Sequence, residues 1–145
     1  DISNIQGKEA TGSMVTFIKG QPEKNFYRKF RIQIEKKPND VAMMKELFSR
    51  RFLHKEWLFP DLILVDGGKA QLNAAKLAIK KINAKIPIIA LAKGKNELHI
   101  ANQKKPLPLD LLPDKIKFVL LHLRDESHRF ARAYHHKLRK KEMFR

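Results

Sequence analysis

A chain of 145 residues is long enough for one domain with a real core, and 43% hydrophobic against 32% charged residues is a globular rather than a disordered composition. Lys and Arg number 31 against 15 Asp and Glu, a formal net charge of +16, which favours polyanions: nucleic acid first, acidic membrane surfaces second. No apolar run approaches the ~18–20 residues of a membrane span, and no signal-peptide pattern opens the chain. The absence of cysteine excludes disulfides and thiolate metal sites and is compatible with a cytoplasmic protein.

In chain order, residues 1–6 predict a strand end and residues 7–10 a turn. The opening Asp1-Ile2-Ser3 has no initiator Met and reads as the interior of a longer chain, with a processed terminus as the alternative. Residues 13–19 are rich in β-branched and aromatic side chains and predict a strand. Residues 20–23 (Gly-Gln-Pro-Glu) are a turn, and residues 25–35 a second strand on which Phe26, Phe30, Ile32 and Ile34 mostly alternate, so an antiparallel hairpin is expected. Asn39 or Asp40 can cap a helix over 40–53, where Val41, Met44, Leu47, Phe48 and Phe52 recur at helical spacing. Pro60 closes a linker in which Trp57 and Phe59 read as packing groups. A short buried strand over 62–65, a helix over 68–83 and an apolar strand over 87–92 form a βαβ pattern, which implies a parallel pair with a right-handed crossover. Residues 93–108 predict a small hairpin, and Pro113 opens a final helix reaching about Lys140. The whole reads as one α/β domain, a mixed sheet with helices on its faces.

The first chemical candidate is Asp66, in Asp61-Leu62-Ile63-Leu64-Val65-Asp66-Gly67-Gly68-Lys69. A buried strand that delivers an acid at its carboxyl end is how α/β proteins place chemistry at a sheet edge. If the strand beginning at Asp1 is its sheet neighbour, two carboxylates converge, and they remain ionised best around a divalent cation such as Mg²⁺. An Asp before Gly-Gly is also a common turn or helix entry. On the last helix Arg124, His128, Arg132 and His135 share a face. A neutral His128 could ligate a metal or shuttle a proton; the competing reading is a solvated basic face that only binds phosphates. Asp40 is most simply a helix N-terminal acid. Further cations, Arg28, Lys29, Arg31, Arg50, Arg51, Lys93 and Lys95, are spread over several elements. No P-loop, dinucleotide-binding glycine fingerprint or Ser/Cys nucleophile motif is present.

Taken together, Asp1-Ile2-Ser3 with Gln6-Gly7, Ser13-Met14-Val15, Tyr27-Arg28-Lys29-Phe30-Arg31-Ile32, Pro60 through Leu72, Ala90-Leu91-Ala92-Lys93 and Arg124-Asp125-Glu126-Ser127-His128-Arg129-Phe130-Ala131 resemble, in order and over nearly the whole chain, the C-terminal endonuclease domain of the UvrC family, the excinuclease subunit of bacterial nucleotide excision repair. The resemblance implies an RNase H-like mixed sheet of about five strands flanked by helices, and 5′ incision of damaged double-stranded DNA with Mg²⁺ or Mn²⁺. It implies a metal-binding catalytic set of Asp1, Asp66 and His128. It adds Asp40, in Asp40-Val41-Ala42-Met43-Met44, as a further acid. The cations expected to orient the DNA backbone are Lys69, Lys93, Arg124, Arg129 and Arg132. UvrB is the implied partner, bound through segments outside this chain, and no membrane is implied. Asn4 stands where the family usually carries His. Two rival functions stay open: a non-catalytic basic DNA-binding module, which predicts salt-sensitive binding without metal dependence, and an RNase H relative that cuts RNA in hybrids.

Overall fold

The structure, a computed structural model, describes residues 2–5, 9–32, 40–92 and 94–145, with the backbone alone at 2–5, 9, 40 and 41. The chain divides into two compact units, Asp1–Pro38 with Val119–Arg145, and Asn39–Phe118.

The first unit opens with β1 (Ile2–Ile5), β2 (Glu9–Met14), β3 (Phe17–Ile18), β4 (Gln21–Pro22) and β5 (Arg28–Ile32). β1, β2 and β5 form an antiparallel sheet in that order, with Ile2 opposite Gly12, and Ala10 to Met14 opposite Ile32 to Arg28. The expected hairpin therefore forms, but with altered ends. Glu9 and Ala10, expected in a turn, extend β2 because Glu9 pairs with Ile5 and Ala10 with both Asn4 and Ile32, and pairing overrides local preference. The expected strand over 13–19 is interrupted at Val15 and Thr16, where the Thr16 carbonyl accepts from the Glu23 amide at 2.8 Å. That bond closes the two-residue ribbon β3–β4, whose turn uses Lys19 at φ 51° and Gly20 at φ 78°. A 3₁₀ turn over Lys24–Phe26 replaces the start of the expected second strand, and residues 33–35 of that strand lie outside the described residues.

The second unit holds α1 (Asp40–Leu53), β6 (Ile63–Asp66), α2 (Lys69–Lys81), β7 (Ile88–Ala92), β8 (Glu97–Ile100) and β9 (Leu107–Pro108). α3 (Asp114–Met143) begins there and continues in the first unit. β6 and β7 are parallel around α2, as the βαβ pattern predicts; β8 and β9 add antiparallel, giving a four-stranded mixed sheet in the order β6-β7-β8-β9. Apolar positions of α1 (Met43, Met44, Leu47, Phe48, Phe52) and of α2 (Leu72, Ala74, Ala75, Ala78, Ile79) are buried, and the two helices pack on one another. The alanines let the backbones approach. Met43, Leu91 and Leu109 are fully enclosed, each contributing about 1.5–3 kcal/mol through burial.

The α/β class and the mixed sheet agree with an RNase H-like domain; the strand count differs. Among the described residues there are nine short strands in three sheets rather than about five in one. The division at Thr16 and the β8–β9 hairpin account for part of the excess. The linker after α1 is ordered by Arg51, which is buried, donates to the Leu58 carbonyl at 2.6 Å, and lies 5.3 and 5.2 Å from the Phe52 and Trp57 ring centroids. Trp57 also stacks on His54 at 3.9 Å, so it packs as expected; Phe59 leans on Phe52 at 5.5 Å yet is 58% exposed. Among the described residues no helix is long and apolar enough to cross a membrane.

Candidate functional site

The second unit presents Asp66. Ile63, Leu64 and Val65 are β-branched or apolar and pair with Ile88, Ile89 and Ala90 of β7, with Val65 buried, and Asp66 is the last residue in register, opposite Leu91. Backbone bonds bracket the pair: Ile63 N–H to Pro87 O and Gly67 N–H to Leu91 O, both 3.0 Å. The chain then turns at once. Gly67 has φ +135°, a conformation L side chains rarely adopt, and a Cβ there would stand 2.6 Å from Gln71 Cγ. Gln71 lies so close because its Oε1 accepts from the Gly68 amide at 3.0 Å, satisfying a donor the helix start leaves over. Asp66 thus sits between a strand end and a helix start, half-buried, with Oδ1 enclosed. Lys69, the first residue of α2, is exposed.

The first unit presents His128. It is half-buried on α3, with Arg124 (half-buried) and Arg132 (exposed) one turn to either side, as the spacing predicts. Arg124 Nε meets Asp125 Oδ1 at 3.3 Å. Arg129 is turned to Glu126: its Nε and a terminal nitrogen donate to the two carboxylate oxygens at 2.8 and 2.6 Å. Tyr27 donates its hydroxyl to Glu126 Oε1 at 3.0 Å. The Arg129 guanidinium, with smaller help from the Tyr27 hydroxyl, holds the Glu126 carboxyl down at about 2. Burial, then the Glu126 carboxylate, pushes the Tyr27 phenol up to about 12. Tyr27, Glu126 and Gln71 were not singled out from sequence. Glu126 with Arg129 at i, i+3, and Gln71 at the third helical position after Gly68, are local patterns that point to them.

The remaining expected residues fall as follows. Asp1 and Lys93 lie outside the described residues, and Asp40 is the first residue of α1 with its side chain undescribed. β1, the strand that follows Asp1, pairs with β2 in the first unit, whereas Asp66 ends β6 in the second. Among the described residues no group of three His, Asp or Glu side chains is placed to hold a metal ion. Taken by itself, the enclosed carboxylate oxygen of Asp66 is the hard donor that Mg²⁺ or Mn²⁺ prefers. Of the expected basic surface, Arg51 is buried and not part of it, and Arg50 pairs with Glu46 at 3.8 Å.

An acid at the end of a parallel strand, followed by a glycine turn into a helix, fits the RNase H-like class of α/β domain. The chain belongs to the UvrC RNase H endonuclease domain family, whose sequence model matches residues 1–131. It is similar to the UvrABC system protein C of Methanothermobacter thermautotrophicus, 43% identical over 142 residues that cover 98% of this chain and 24% of that protein. The proteins of the same name from Chlorobaculum tepidum (42% identical, 96% of this chain, 22% of that protein) and Porphyromonas gingivalis (44%, 98% and 24%) are similar to the same degree. The chain spans about a quarter of the length of these curated relatives.

Proposed function

We propose that this chain is the divalent-metal-dependent phosphodiesterase domain of a cytoplasmic nucleotide excision repair nuclease, cutting damaged double-stranded DNA on the 5′ side of a lesion. The observation that carries the proposal is Asp66: a half-buried carboxylate at the carboxyl end of a parallel strand, in a chain of the UvrC endonuclease family with net charge +16. Asp1, Asp66 and His128 would hold Mg²⁺ or Mn²⁺, with Asp40 a further acid. When bound, the ion supplies Lewis acidity to the scissile phosphate and the attacking water. Asp66 brings negative charge to a positive surface and anchors the site on a rigid strand end. His128 offers a neutral imidazole nitrogen as donor or proton carrier. Lys69, Lys93, Arg124, Arg129 and Arg132 bind backbone phosphates and orient the duplex without reading sequence. UvrB is the proposed partner, reached through parts of the protein outside this chain.

The test is Asp66→Ala in a Mn²⁺ titration with a damaged duplex. Nicking is expected to fall about a hundred- to a thousandfold, the scale seen when one preorganised electrostatic group is removed from a catalytic site, while DNA affinity stays within about twofold, since phosphate contacts carry it. Retained nicking removes Asp66 from its role. Salt-sensitive binding with no cutting by the unaltered domain at any Mn²⁺ concentration would favour the DNA-binding module.

A further inference from the structure

Within the first unit Leu120, Ala131 and Leu138 are the buried positions of α3, and a second stripe of its side chains, His122, Glu126, Phe130 and Tyr134, spaced four apart, meets Phe17, Tyr27 and Lys29. His122 meets Phe17 edge-on at 4.9 Å, and Phe130 meets Tyr27 edge-on at 5.0 Å. The Lys29 ammonium lies 5.1 Å from the Phe130 centroid and 5.2 Å from that of Tyr134. These contacts are apolar or weakly directional, and such contacts tolerate rotation of a helix about its axis. The 3.0 Å bond from the Tyr27 hydroxyl to Glu126 does not, because it joins two fixed points, and Arg129 braces the carboxylate with two further bonds. His128 is two residues from both Glu126 and Phe130, which at about 100° per residue places it on the opposite face.

We infer that Tyr27 and Glu126, braced by Arg129, are positioning residues for His128: the phenol fixes the rotation of α3 and so the direction in which the imidazole is presented. The inference rests on the reading of His128 as a metal ligand. Lever arithmetic shows why a hydroxyl remote from the chemistry matters. A side-chain tip about 6 Å from a helix axis moves about 1 Å for a 10° rotation, and a misplacement of about 1 Å costs on the order of a hundredfold in a catalytic geometry. It also gives Arg129 a duty other than phosphate binding, since two of its N–H donors are committed to Glu126.

The experiment is a double-mutant cycle read by Mn²⁺ affinity, measured from free-ion electron paramagnetic resonance, on the unaltered chain, Tyr27→Phe, His128→Ala and the double variant. Tyr27→Phe keeps the ring and the net charge and is expected to weaken Mn²⁺ about five- to tenfold, below the roughly ten- to hundredfold lost when a ligand's own hydrogen-bond partner is removed, because Tyr27 acts through Glu126. In the His128→Ala background the same change is expected to cost nothing, because there is no imidazole left to misplace. Arg129→Lys, which keeps the charge and loses the fork, is expected to give a smaller loss that also vanishes without His128. A loss that persists in the His128→Ala background means general loosening and overturns the inference. So does an unchanged Mn²⁺ affinity in Tyr27→Phe and Arg129→Lys when His128→Ala alone is weakened. If His128→Ala binds Mn²⁺ as the unaltered chain does, the ligand reading and the inference fall together.

Discussion

At the scale of single residues, two ionisable groups share one hydrogen bond, and both directions of pH respond to it. The Glu126 carboxyl is held at about 2, below its ordinary 4.5. A depressed carboxyl contributes stability that is fully present above its unfolded value, so this contribution is lost as pH falls from 4.5 toward about 2. In acid melts, the stability gap between the unaltered chain and Glu126→Gln is expected to narrow over that window. The Tyr27 phenol is raised to about 12 from 10.0, so its contribution is present below 10.0 and is lost as pH climbs toward about 12. An absorbance titration of the phenolate is expected to give that value, and in Glu126→Gln to fall only part of the way back, because burial remains the larger cause. Asp66 was legible in the sequence because one short segment carries its strand, its glycines and its helix. The Tyr27–Glu126 bond was not, since it joins residues 99 positions apart and no local pattern announces such a partner. The Glu126–Arg129 half, three residues apart, was readable as a helical ion pair.

At the scale of elements, the passage from β6 to α2 depends on two adjacent glycines with unequal duties. Gly67 at φ +135° has Gln71 where a side chain would go, and Gly68 has nothing within 4 Å. Gly67→Ala is expected to cost about 1–3 kcal/mol, from backbone strain and from displacing Gln71 off the Gly68 amide. Gly68→Ala is expected to cost less, no more than about 1 kcal/mol, because there is room for the methyl group and only the N-cap preference for Gly over Ala is lost. Urea midpoints of the two variants decide it, and equal losses would refute the asymmetry. Elements set by periodicity were legible: the helix expected over 40–53 is α1, residue for residue, and the βαβ unit forms. The β2–β4 region was not, because residues 13–19 are strand formers throughout and the break at Thr16 is imposed by Glu23 from across the turn. Local preference cannot see that bond.

At the scale of the whole molecule, net charge overstates the basic surface. Arg51 counts toward the +16, yet its guanidinium is enclosed between Phe52, Trp57 and the Leu58 carbonyl. Arg51→Met is expected to lower stability by about 1.5–3 kcal/mol, the scale of a hydrogen bond from a charged donor, and to leave DNA affinity within about twofold. Thermal melts and a binding titration at one salt concentration test both halves. Binding itself is expected to be steeply salt-dependent, falling about 10³- to 10⁵-fold between about 50 and 200 mM salt if six to ten phosphates are contacted. A flat salt profile would show that the cations do not face one duplex. The α/β class was readable because its signature is sequential. The division into two units was not, since the first joins both ends of the chain and chain order hides that pairing.

That discontinuity sets a timetable for biosynthesis. Strands Ile2–Ile5, Glu9–Met14 and Arg28–Ile32 leave the ribosome about 80 residues before the helical segment that completes their unit. At ~5–20 residues per second that is a delay of ~4–16 s, ample for helix and hairpin formation. During it the intervening segment Asn39–Phe118 has all its own sequence in hand, while the three strands wait for residues 119–145 to complete their unit, the interval in which a chaperone would find them.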